Sequence, residues 1–146
     1  MELHGAMQAR DGHGIPEGSA ADRRRYRQGG HEAHAFFRER IEQLARYAEA
    51  QFRLDRIPKD SKQSTRVSLT SVWKQTGRKP QQLAEAGDLP EELAYIWRWY
   101  YELVSPNPLT YTEIRNWSEV TGNQLRGWEA ELIKSIDRIF WKVQHE

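Results

Sequence analysis

From His31 onward the apolar positions recur at helical spacing. Phe37, Ile41, Leu44, Ala48 and Phe52 follow at steps of four, three, four and four, with Arg38, Glu39, Arg40, Glu42 and Arg46 between them. That period turns one stripe inward and a charged stripe to water, so it predicts a helix over about 31–56 that Pro58 stops. A second helix is expected from about Ser64 to Thr76, with Leu69, Val72 and Trp73 inward and Gly77 in the C-terminal capping position. A short helical turn between Pro80 and Gly87 follows it.

Asp88 and Glu91 then stand at capping spacing ahead of Leu93, Ile96, Trp97, Tyr100 and Val104, a helix face that Ser105-Pro106-Asn107-Pro108 ends. Thr110 and Glu113 repeat the cap before Tyr111, Ile114, Trp117 and Val120, and Gly122 closes that short helix. A last helix, about Arg126 to Gln144, presents Trp128, Leu132, Ile136, Ile139 and Val143. No segment alternates with period two long enough to make a strand, so the fold class is all-α, a domain of about five helices. The expected core is Leu93, Trp97, Tyr100, Tyr111, Ile114, Trp117, Trp128 and Ile136.

Composition adds an uneven charge to this pattern. The chain has 146 residues and a net charge of +1. Through Pro80 there are 16 Lys and Arg against 10 Asp and Glu, a balance of +6, and from Gln81 the balance is 6 against 11, or −5. Five of the six tryptophans lie in the acidic half, which should therefore hold most of the core. Residues 1–30 carry most of the glycines and the run Arg23, Arg24, Arg25, Arg27, with too little apolar surface to offset the entropy of ordering. The expected organisation is a flexible basic arm over 1–30, an amphipathic helix over 31–58 and a compact aromatic-rich helical domain over 64–146.

Candidate chemistry is sparse. With no cysteine and a mean hydropathy of −0.89, disulfides, thiolate metal sites, thiol catalysis and membrane spans are all excluded. His31-Glu32-Ala33-His34 falls one residue short of the zincin spacing, and no third ligand accompanies it, so no metal and no cofactor is expected. No nucleophile elbow and no phosphate-cradling glycine loop occurs, and Glu113, Glu119, Glu129 and Asp137 read as capping or solvated carboxylates. An enzyme is not expected. The stretch Leu109–Trp141 has a helix-turn-helix outline, but its four basic residues and the adjoining Lys142 meet five acidic ones, which argues against specific nucleic-acid reading.

The aromatic run is the most distinctive feature. Tyr95, Trp97, Trp99, Tyr100 and Tyr101 cannot all face one side of a helix. Trp97, Tyr100 and Tyr101 can share the inward stripe with Leu93 and Ile96, whereas Tyr95 and Trp99 share a different face. Either another helix covers that second face or it is an exposed binding patch. The candidate partner-binding residues are Tyr95, Trp99 and Tyr101, with Arg23, Arg24 and Arg25 of the basic arm.

The order of these residues resembles a known family. Gln75-Thr76-Gly77-Arg78 with Pro80, Leu89-Pro90, Leu93, Tyr95, Trp97, Trp99 and Leu103 form its first part. Pro108-Leu109-Thr110-Tyr111 with Glu113, Ile114 and Trp117, then Thr121-Gly122, Leu125, Trp128-Glu129 and Asp137 form its second. Together, over about residues 66–140, they resemble the tail assembly chaperones of long-tailed bacteriophages. The resemblance implies a non-enzymatic protein of the infected bacterium's cytoplasm. It would hold the tape-measure protein soluble, assist polymerisation of the tail-tube protein and be absent from the mature virion. The link from Leu103 to Pro108 is shorter than the family's usual glycine- and arginine-containing connection, and residues 1–60 fall outside the resemblance. A structural virion component, such as a small tail or head-completion protein, is the alternative, and self-association is compatible with either.

Overall fold

The computed structural model describes the backbone from Ala20 to Glu146 and the side chains from Ala33. The described residues form α1 (Ala20–Asp55), α2 (Thr65–Thr76), the single turn α3 (Gln81–Ala84), a 3-10 turn (Glu91–Leu93), α4 (Ala94–Leu103), α5 (Tyr111–Thr121) and α6 (Gly127–Gln144). There are no strands among them, and the all-α class holds, with five helices longer than a single turn. Two units divide the chain, Met1–Phe37 and Arg38–Glu146. Of the first, the described part is the beginning of α1, where His34 and Phe36 are exposed. The expected arm overlaps this helix, which starts at Ala20 and not near residue 31; residues 1–19 lie outside the described part.

Within the second unit the core follows the expected stripes. Leu44, Ala48, Phe52 and Leu54 of α1 are buried, as are Leu93, Ile96, Tyr100 and Leu103 around α4, and Leu132, Ile133, Ile136 and Val143 of α6. Aromatic rings join these helices: Phe52 lies 5.5 Å from Trp97, 5.9 Å from Tyr100 and 5.2 Å from Phe140, and Tyr47 meets Trp97 edge-on at 5.2 Å. Such pairs add about 0.5–1.5 kcal/mol each beyond the area they bury. α4 is the central element, packed against both α5 and α6.

Helix ends are set by local chemistry. Ser64 accepts the Val67 N–H at the start of α2, and Gly77 closes that helix at φ 69°. Thr110 and Glu113 form a reciprocal capping box on α5, which Gly122 ends at φ 73°. A side chain at either glycine would be strained in this left-handed conformation. Glu129 Oε1 accepts the Arg126 N–H at 2.8 Å at the start of α6. The Asp88–Glu91 cap does not form. Pro90 lies between them and starts a 3-10 turn with no side-chain cap, and the Asp88 carbonyl instead accepts from Gln43 Nε2 at 3.0 Å.

Several apolar placements also need correction. On α2 no residue is buried; Leu69 is half-covered, and Val72 and Trp73 are 46% and 41% exposed. Tyr111 is 53% exposed, with its hydroxyl on Glu131 and its ring under Lys134 Nζ at 4.8 Å. Trp128, in the first turn of α6, is 36% exposed, and Val120, in the last turn of α5, is 85% exposed. Val104, assigned to the inward stripe, falls just past α4 and is exposed.

Candidate partner-binding groove

The side chains at the end of α1, the end of α4 and the end of α6 leave a groove of about 600 Å³. Phe52, Tyr100 and Phe140 form its apolar floor, and Ile57, Tyr101 and Val104 stand on its rim, 58%, 49% and 40% exposed. Tyr101 leans edge-on against Trp97 at 5.0 Å, so its ring is held while its outer side faces water. Burial, and then the nearby Asp55 carboxylate, push the Tyr101 hydroxyl above its ordinary value, and it is a neutral donor at physiological pH. A rigid, half-exposed aromatic between two exposed aliphatics is what an apolar partner can anchor on.

Of the residues expected to bind a partner, the structure brings only Tyr101 to this groove. Tyr95 and Trp99 are half-buried, stacked edge-on at 4.9 Å, and Trp99 continues onto Trp117 of α5 at 5.5 Å. The Tyr95 hydroxyl is raised by burial and by its hydrogen bond to Glu129. The second aromatic face thus meets Trp117 of α5 and Glu129 of α6. Arg23, Arg24 and Arg25 lie on α1, with side chains outside the described residues. The same holds for His31, while His34 is exposed. Among the described residues no three His, Asp or Glu side chains are grouped to hold a metal ion, and no helix is long and apolar enough to cross a membrane.

Three features of this region escaped the sequence reading. Ile57 and Val104 flank helix ends, where periodicity says nothing about exposure. The third is Asp137, expected to be solvated but only 4% exposed. Its Oδ1 accepts the Tyr100 hydroxyl at 3.1 Å and its Oδ2 accepts the Leu109 N–H at 2.8 Å. Lys134 Nζ takes the Leu109 carbonyl at 2.9 Å. Both polar groups of Leu109 are thus held by α6, which fixes the link between α4 and α5 and, through Tyr100, the floor of the groove. Burial and the Asp137 charge push the Tyr100 hydroxyl far above its usual range.

Residues 72–142 match the family model of the phage tail assembly chaperones. The resemblance read from the sequence is therefore shown for the stretch from the middle of α2 to the end of α6. No curated protein and no solved structure matches the chain. The matched family is that of a phage tail assembly chaperone. Tyr100, Tyr101, Val104 and Phe140 lie within the matched stretch, whereas Phe52 and Ile57 come from the preceding segment. The groove is thus completed by residues that precede the chaperone match.

Proposed function

We propose that this protein is a non-enzymatic tail assembly chaperone that holds the tape-measure protein and assists the tail-tube protein in the host cytoplasm, then leaves before the virion matures. The observation that carries this reading is the groove of Phe52, Tyr100 and Phe140 with Ile57, Tyr101 and Val104 exposed on its rim. An apolar segment of an unassembled tail protein gains by burying itself there, at roughly 25 cal/mol per Å² of apolar area covered. Helix-in-groove capture suits a partner with apolar residues at helical spacing. Tyr95 and Trp99 support α4 from its other side, and Tyr101 takes the anchoring role.

The test is co-expression with the phage's tape-measure protein. The variant Ile57→Ser/Tyr101→Ser/Val104→Ser changes only exposed side chains, so it should keep its helical circular dichroism. The parent chain should keep the tape-measure protein in the soluble fraction, and the triple variant should not. A folded triple variant that still solubilises its client would remove the groove from the proposal. Stoichiometric copies of the chain in purified mature particles, found by mass spectrometry, would favour a virion component instead.

A further inference from the structure

A second surface, away from the groove, has a composition of its own. From Lys62 to Ala84 the chain carries Lys62, Arg66, Lys74, Arg78 and Lys79 and no acidic residue. From Gln81 to Trp97 it carries Glu85, Asp88, Glu91 and Glu92 and no basic one. All of these except the half-covered Arg66 are exposed, and Arg66 is turned back onto Asp55 at 2.7 Å. Among the described residues no ion pair engages Lys62, Lys74, Arg78, Lys79, Glu85, Asp88, Glu91 or Glu92. Two blocks of opposite sign therefore lie unpaired in one unit of the molecule.

The two blocks border the same hollow. Arg66, Thr70 and Trp73 of α2, Lys79, and Leu83 with Asp88 from the acidic block line a groove of about 450 Å³. Trp73 is 41% exposed there, with Lys79 Nζ 5.3 Å from its ring centre. α2 itself buries no residue and leaves Val67 and Val72 about half exposed. The helix thus offers apolar surface and positive charge beside a strip of negative charge.

We propose that this face is an isologous interface between two copies of the chain, with α2 of each copy set against the Glu85–Glu92 strip of the other. In a two-fold contact a patch i meets j and j meets i, so neighbouring basic and acidic strips on one face are self-complementary. The charge complement that this surface calls for is on the same chain, which selects a second copy over an unrelated acidic partner. Trp73 supplies the apolar centre, and the charges form a rim that fixes orientation and is screened by salt. The proposal does not depend on the groove of Tyr101.

The experiment is sedimentation equilibrium of the full chain over a range of concentrations, with two charge-reversed variants. The parent should show a monomer–dimer equilibrium that weakens between about 0.05 and about 0.5 M salt. Lys74→Glu/Arg78→Glu/Lys79→Glu and Glu85→Lys/Glu91→Lys/Glu92→Lys should each weaken it at least about tenfold, because like charges then face one another. An equimolar mixture of the two variants should dimerise again, since every reversed strip then meets its opposite. If either variant fails to fold, carbodiimide cross-linking of a mixture of isotope-labelled and unlabelled parent chain takes its place, and should join Lys74, Arg78-flanking Lys79 or Lys62 of one copy to Glu85–Glu92 of the other. A parent that stays monomeric, variants that dimerise as the parent does, a mixture that stays apart, or cross-links within one copy only would each overturn the proposal. A groove variant lacking Ile57, Tyr101 and Val104 should dimerise normally, which separates failure here from failure of the client-binding reading.

Discussion

α2 and α6 are both well-formed helices, yet they are held in different ways. α6 buries Leu132, Ile133, Ile136 and Val143 against the rest of the domain. α2 buries nothing, and is fastened at one end by Arg66 to Asp55 and Gln51 and by the Thr65 N–H to the Arg56 carbonyl at 3.2 Å. Both have clear start and stop signals in the sequence. Caps and period determine that a segment is helical, but burial depends on whether another element has an apolar face left to offer. α4 packs on α1, α5 and α6, whereas α2 meets the rest of the domain only through half-covered side chains such as Leu69.

The largest test of this contrast is a cavity in α6. Ile133 is fully buried, and Ile133→Ala should cost about 2–5 kcal/mol, a large fraction of the stability of a domain this size. Leu69→Ala on α2 should cost less than about half as much, since Leu69 is only half-covered. Thermal or urea unfolding measures both. Equal losses would mean that α2 is packed as firmly as α6 and would end the comparison.

Next comes the buried carboxylate. Asp137→Ala leaves the Tyr100 hydroxyl and the Leu109 N–H without their acceptor inside the protein, at a cost of about 3 kcal/mol. Glu119→Ala, which removes an exposed pair with Arg115, should stay within about 0.5 kcal/mol of zero. The same cluster gives a pH dependence whose sign is fixed by Tyr100. Its folded-state pKa is raised above the ordinary value of about 10, so the folded protein keeps a proton that the unfolded chain releases. The resulting stability is fully present below about pH 10 and is lost as the pH rises further. Tyr100→Phe should flatten that alkaline decline, and a decline unchanged in the variant would assign it to other groups.

How much of this was legible beforehand depended on the kind of signal. The capping box of Thr110 and Glu113, the left-handed glycines at 77 and 122 and the stripe from Leu93 to Tyr100 were readable because each is encoded within one turn of chain. Asp137 was not. A carboxylate on a charged helix is usually solvated, and its burial depends on Leu109, 28 residues away, presenting an N–H to it. Tyr111 and Trp128 were misplaced for a related reason: each fits the spacing of an inward stripe, but each stands in the first turn of its helix, where spacing alone does not say whether another element covers it. The candidate groove was the least legible, because Ile57 and Tyr101 line it together only after α1 and α4 have packed.

The smallest expected effect is also the sharpest on α2. Val72 is 46% exposed and touches no buried neighbour on its own helix, so Val72→Ser should shift stability by no more than about 0.5 kcal/mol. A helix fastened by a few exposed hydrogen bonds opens more readily than one anchored by core side chains, and its amides exchange with solvent through that local opening. In native-state hydrogen exchange at low protein concentration, the amides of α2 should therefore exchange well before those of α6. Raising the concentration should slow α2 selectively if a second copy covers it, because a dimer face gains protection only when occupied. Val72→Ser should leave the dilute pattern alone. A loss of stability above about 1 kcal/mol in that variant, or equal protection of α2 and α6 in dilute monomer, would show that α2 is held by packing the structure does not contain.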